Sequence, residues 1–274
     1  MTETPLYFLN DKQRLFGILH KAEGTQQKLG WVFCHPFAEE KLWAHRVYVN
    51  LARALAKKSW PVLRFDYRGY GDSEGNFEDF TIDDQLADID CAIARLMTEV
   101  PELQSVGLVG LRYGATLAAM AAENNPQVSR LVLWDPVIDM SAYMQDVLRA
   151  NLTTQMVMHG KVVTNRDQLT QNIMNGEAVN IDGYDLTQHF FQPACDINLL
   201  DREKQFAGPC QIVQIGRANQ PLKKDIQALA DLYHQGSVSQ VAELQFWKEI
   251  KNFVQRSDAL NGSLFDWMGE ASNA

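Results

Sequence analysis

The sequence predicts an α/β chain: a mostly parallel sheet of about eight strands, flanked by helices, with a helical segment inserted late. Three observations carry this. Short apolar runs such as "GWVFCHPF", "WPVLRF", "SVGLVGL", "RLVLWDPV" and "PCQIVQIG" read as strands buried on both faces. Between them lie stretches of helical period. One interval of about seventy residues (139–208) breaks the alternation and is too long for a structureless loop.

Taken in order, residues 5–9 and 14–20 straddle "NDKQ" and read as an antiparallel hairpin that adds an edge to the sheet. A strand at 30–37 follows, then a helix at 43–58 with Val47, Leu51, Ala52 and Leu55 on one side. The strand from 60 runs into the Gly-rich loop "RGYGDSEG". A helix at 80–99 carries Ile82, Leu86, Ile89, Ile93 and Leu96 at spacings of three or four, with Thr81, Asp83 and Asp84 as its acidic start. A strand at 105–111 leads into a helix at 113–124, and another strand spans 130–137. After the insertion come a strand at 209–216, a helix at 221–235, a strand near 238–244 and a helix near 246–257. Strand–helix alternation of this kind implies parallel pairing with right-handed crossovers. The expected division is a core of 1–138 and 209–257, a cap of 139–208 and a tail of 258–274 that docks loosely or stays disordered.

Composition narrows the function classes. The chain has 274 residues, 46% hydrophobic and 22% charged, with a net charge of -9. No basic stripe offsets phosphate charge, so nucleic acid is not expected as a partner. No apolar run reaches the roughly 18–20 residues that span a bilayer. The start "MTETPLYFLNDK" lacks the basic and apolar regions of a signal peptide, so the expected location is cytoplasmic. Cys34, Cys91, Cys195 and Cys210 form no C-x-x-C pair and read as buried fillers. The six histidines make no zinc-binding spacing, and no metal or cofactor is expected. Nothing in the sequence sets the oligomeric state.

Three stretches carry chemistry. "FCHPFAEE", "LRFDYRGYGDSEG" and "GLVGLRYGATLAA" resemble, in order and spacing, the oxyanion loop, fourth-strand signature and nucleophile elbow of the α/β-hydrolase superfamily. The resemblance covers nearly the whole chain and implies the α/β-hydrolase fold with an inserted helical cap. More narrowly, "HPFAEEK", "RGYGDSEGNFEDF", "GLRYGA" and "LVLWDPVID" look like the hydrolase-like proteins found with bacterial exosortase and exopolysaccharide systems. Those proteins are called hydrolases by fold and often carry Arg at the elbow.

Ester hydrolysis on this fold needs an elbow nucleophile, a His base, an acid to orient it and two backbone N–H donors. The elbow position holds Arg112, flanked by Gly110 and Gly114. A guanidinium stays protonated and is no nucleophile. The base belongs near "ELQFWKE" (243–249), which offers Glu243 and Gln245 but no His; His234 precedes the strand. The acid is equivocal. "GRANQPLKKD" offers Asn219, then Asp225 within a helix, while Asp135 stands at the alternative acid position. The expected oxyanion donors are Tyr113 N–H and that of Phe37 or Ala38, since Pro36 has none.

Two readings of Arg112 stay open. It forms an internal ion pair with Asp135, Glu39 or Glu40, or it joins a helix N-terminus in an anion site for a small anionic or acylated ligand. His35, Pro36, Glu39, Glu40 and Asp135 are expected to line the pocket. Cys34 reads as core, since Cys34 and His35 point to opposite faces of a strand. Asp72 and Ser73 read as ties within their turn rather than a displaced nucleophile. His159 and His189 lie in the cap, and Met140, Met144, Met156 and Met158 suggest an adaptable cap lining. The expectation is thus a degenerate triad. It leaves either a binding protein or a hydrolase, thioesterase or acyltransferase with non-standard residues.

Overall fold

The computed structural model describes residues 1–248 and 257–271. Its central sheet has eight strands in the order β1-β2-β4-β3-β5-β6-β9-β10. The hairpin β1 (Thr2–Asn10) and β2 (Gln13–Lys21) turns at Asp11, whose φ is 52°. β2 pairs antiparallel with β4 (Val62–Phe65). From there β3 (Leu29–Cys34), β5 (Ser105–Leu111), β6 (Val128–Trp134), β9 (Pro209–Gly216) and β10 (Gln235–Ala242) pair in parallel. This is the α/β-hydrolase fold.

The continuous apolar strands are explained by burial on both faces. Val32 and Cys34, with Val106 and Leu108, enter one core together with α2 (Ile82–Glu99) and α3 (Tyr113–Asn124). Trp31 and Phe33, with Val109 and Leu111, enter the other with α1 (Ala38–Lys57). α2 begins with a reciprocal capping box. Asp84 N–H donates to Thr81 Oγ1 at 3.1 Å, and Asp84 Oδ2 accepts from Thr81 N–H at 2.8 Å.

Between β6 and β9 the chain forms α4 (Met140–His159), α5 (Arg166–Met174), a small hairpin of β7 (Val179–Ile181) and β8 (Tyr184–Leu186), and α6 (Gln188–Cys195). Its buried side chains, including Met140, Met144, Leu148, Leu186 and Phe190, belong to the same core as one face of the sheet. Phe190 stacks on Phe37 with ring centres 5.2 Å apart. α7 (Lys224–Leu232) then connects β9 to β10.

Several expectations are corrected. The insertion is not wholly helical. Its hairpin turns at Asp182 and Gly183, both with positive φ, so "NIDGYDL" carried a Asp-Gly turn signal that three-residue strands made easy to miss. The tail is not loose: α8 (Asp258–Ala271) buries Leu260 and Leu264 completely against the second core. Its apolar spacing of four, over a half-polar sequence, supplies the stripe. The helix expected near 246–257 falls mostly on residues 249–256, outside the described residues; Phe246 to Lys248 form a turn. Only Cys34 and Cys210 are buried, while Cys91 and Cys195 are half-exposed thiols on helices. Met140 and Met144 pack in the core, whereas Met156 and Met158 are exposed.

Candidate functional site

The site lies at the C-terminal ends of β3, β5 and β6. Each of these ends carries one non-glycine residue of positive φ: Ala38 (45°), Arg112 (54°) and Asp135 (40°). Such backbone costs about 1–3 kcal/mol per residue and persists only where packing imposes it. Packing does so around Arg112. A Cβ on Gly110 would run into Gly114 O, and one on Gly114 into Cys34 O. The strand and helix therefore meet closely enough to form a sharp turn with Arg112 at its tip.

The Arg112 side chain is held by opposite charge and by rings. Nη1 donates to Asp135 Oδ2 at 3.2 Å and to the Asp135 carbonyl at 3.3 Å. Nε lies 3.6 Å from Glu40 Oε1. The guanidinium sits 5.5 Å from the ring centres of both Tyr143 and Trp247. Tyr143 donates its hydroxyl to Glu40 Oε2 at 3.1 Å. Lys223 Nζ approaches Asp135 Oδ1 at 3.7 Å. Burial pushes the Glu40 carboxyl above its ordinary value, against the pull of Arg112 and the Tyr143 hydroxyl.

The cluster is not saturated. Among the described residues, Arg112 Nε and Asp135 Oδ1 are buried without a hydrogen-bond partner. One is a donor and one an acceptor, and each contact that faces it is longer than a hydrogen bond. Above Arg112 opens a cavity of about 380 Å³, walled by Phe37, Ala38, Glu40, Tyr143, Val147 and Ile181. Glu39, Asp146, Asp182, Arg149 and Lys248 stand at the same opening.

Placement of the expected residues is uneven. Phe37, Ala38, Glu39, Glu40 and Arg112 line this cavity. Glu39 and Glu40 do so from the first turn of α1, which starts five residues earlier than the apolar period suggested. His35 and Pro36 do not. They line a separate crevice of about 30 Å³ with Lys41 and Asp66. His35 Nδ1 bonds the Pro36 carbonyl at 2.8 Å and Nε2 accepts from Tyr67 N–H at 3.4 Å. Burial lowers its pKa to about 3, so it is a neutral brace of the turn. Ala38 N–H faces the Tyr70 hydroxyl at 3.4 Å, which competes with its expected role as an oxyanion donor. The Tyr113 hydroxyl is tied to Gln85 beneath the elbow.

Other expected residues have structural work. Ser73 Oγ donates to the Asp66 carbonyl at 2.6 Å and accepts from Phe16 N–H at 2.8 Å. Asp72 N–H donates to Asp66 Oδ2 at 3.2 Å. Cys34 is fully buried, its thiol pushed up to about 12 by burial. His159 and His189 are exposed within the 139–208 insertion. Residues 243–274 contain no histidine. Sequence reasoning missed Tyr143, Lys223 and Trp247. Trp247 had one signal, an aromatic pair in the stretch scanned for a base.

A family model described as serine aminopeptidase, S33, matches residues 30–185, more than half of the chain. The chain belongs to this family. It lies within the α/β-hydrolase superfamily. It is 25% identical over 135 residues to an uncharacterized protein of Rickettsia prowazekii, covering 49% of this chain and 56% of that protein. The match thus spans about half the length of that relative. Among solved structures it resembles Est1E of Butyrivibrio proteoclasticus with ferulic acid bound, at a TM-score of 0.69 and 17% identity, covering 98% and 100% of the two chains. It also resembles proline iminopeptidase of Mycobacterium smegmatis, at 0.64 and 13%, covering 98% of each. A Pyrococcus furiosus esterase superposes at 0.62 and 15%, covering 98% and 90%. At these identities the likeness is one of fold. No helix among the described residues is long and apolar enough to cross a membrane.

Proposed function

We propose that this chain is a non-catalytic member of its family that binds a small carboxylate or acyl-type molecule over Arg112. In this reading Arg112 replaces the nucleophile and Trp247, after β10, fills the place of the base. The carrying observation is that Arg112 lines the cavity while its buried Nε has no hydrogen-bond partner, the opposing carboxylate, Glu40, standing at 3.6 Å. A ligand carboxylate exchanges for Glu40, whose carboxyl is already pushed above its ordinary value by burial. Phe37, Val147 and Ile181 receive the apolar body. The segment 139–208 acts as the cap, and the protein works in the cytoplasm beside an exopolysaccharide or exosortase system, as its motif resemblance implies.

The test combines turnover and binding. Short-chain p-nitrophenyl esters are expected to show no hydrolysis above buffer, and a fluorophosphonate probe no labelling. Octanoate is expected to raise the thermal midpoint of the wild type but not of Arg112→Ala. Ester turnover that Arg112→Ala abolishes overturns the reading.

A second reading keeps chemistry. Glu40 is a half-buried acid with a raised pKa beside Tyr143, and the fold neighbours include proteins named as esterases and an iminopeptidase. It predicts a hydrolase, thioesterase or acyltransferase whose turnover is lost in Glu40→Gln.

A further inference from the structure

The distal end of the cap presents an apolar surface that the site does not use. Met156, Val157, Met158, Val162 and Val163 are between 44% and 81% exposed. They are five of the twelve large apolar side chains exposed among the described residues, gathered within eight positions. Scattered exposed apolar residues need no explanation, but a gathered patch does.

This tip is built rather than frayed. α4 ends at Gly160, whose φ of 68° turns the chain back and whose N–H donates to the Met156 carbonyl at 3.0 Å. The Gln155 side chain then staples the returning loop. Its Oε1 accepts from Val163 N–H at 2.7 Å and Thr164 N–H at 2.8 Å, and its Nε2 donates to the Thr164 carbonyl at 3.0 Å. Val162 and Val163 are thereby carried beside the last turn of α4. A polar side chain is spent on holding apolar ones in solvent.

Charge selects the partner. The whole chain carries -9, yet residues 147–166 contain Arg149, Lys161, Arg166 and His159 and no carboxylate, with Asp146 and Asp167 just outside at either end. Arg149 is paired with Asp146 and Arg166 adjoins Asp167, so the cation within the patch itself is Lys161, with Arg166 at its edge. Asp182, hydrogen-bonded to Thr154, approaches α4 short of the tip. Apolar side chains framed by cations complement a bilayer with anionic headgroups, which takes the former into its interface and the latter at its surface. We propose that the Met156–Val163 tip docks this protein peripherally on an anionic lipid surface. α4 links the tip to the cavity. Arg149 lines the opening, and the seven residues to Met156 span about 10 Å of helix. A docked tip therefore holds the cavity mouth close to the headgroups.

Flotation of the full chain with vesicles tests this. Wild type is expected to float with vesicles of phosphatidylglycerol and phosphatidylcholine, less so at high salt, and to stay behind with phosphatidylcholine alone. Val157→Asp with Met158→Asp is expected to weaken flotation roughly tenfold or more at an unchanged thermal midpoint, and Lys161→Glu to weaken it less. No flotation with the anionic vesicles, equal flotation with both compositions, or double-variant flotation like wild type overturns the proposal. So does a wild-type dimer in sedimentation that the double variant converts to monomer, which makes the tip a self-association surface.

Discussion

Arg112 grips Asp135 twice, through the carboxylate at 3.2 Å and through the backbone carbonyl at 3.3 Å. The two residues end neighbouring strands, and Arg112 N–H also bonds the Trp134 carbonyl at 2.9 Å. The turn at Arg112 is clamped to the next strand by its own side chain.

Removing one partner leaves a largely buried charge. Asp135→Ala is expected to destabilise the fold by about 2–4 kcal/mol, because Glu40 at 3.6 Å compensates only in part. Arg112→Met in the same background should recover part of that loss, since the pair is then removed whole. Urea unfolding of the two single variants and the double variant measures the coupling; additive losses would mean that the pair does not act as a unit.

A serine placed at position 112 should not by itself confer ester hydrolysis. In Arg112→Ser no histidine follows β10, and His35 braces its own turn. Hydrolysis of p-nitrophenyl acetate is expected to stay at the buffer rate. A burst of p-nitrophenol would show that another group acts as base.

On the proposed binding reading, the Glu40 carboxylate and a ligand carboxylate compete for the same guanidinium. Glu40→Gln is expected to tighten octanoate binding about five- to tenfold, measured by calorimetry, roughly 1–1.4 kcal/mol. Unchanged affinity would place the ligand elsewhere.

Two buried histidines set the acid limit. Burial lowers His20 from 6.5 to about 4 and His35 from 6.5 to about 3. Both fold neutral and take up protons when unfolded, so between those values and pH 6.5 the unfolded state binds more protons. Their contribution is full above pH 6.5 and is lost as pH falls toward 4 and 3. Stability is expected to fall by an amount on the order of a few kcal/mol as pH drops from about 6.5 to 5, read as a lowered thermal midpoint. His35→Asn, which keeps a donor toward the Pro36 carbonyl, should flatten the slope. An identical slope would assign the effect to other groups.

Much of this was legible in the chain itself. Strands buried on both faces need continuous apolar runs, and Gly110 and Gly114 were readable because the strand and helix leave no room for a Cβ. The absence of any histidine after His234 was legible too. The Asp-Gly turn of the cap hairpin was present and outweighed by the brevity of its strands.

The sequence by itself determined the α/β-hydrolase order of elements and the guanidinium at the turn after β5, because periodicity and residue type are local properties. It left open where that guanidinium goes. Only the tertiary structure brought Glu40 from α1, Asp135 from the end of β6, Tyr143 from α4 and Trp247 from beyond β10 around Arg112. It also turned His35 away from the cavity. Those contacts join residues up to 135 positions apart, from Arg112 to Trp247, and arise from strand order and cap packing, which no local pattern encodes.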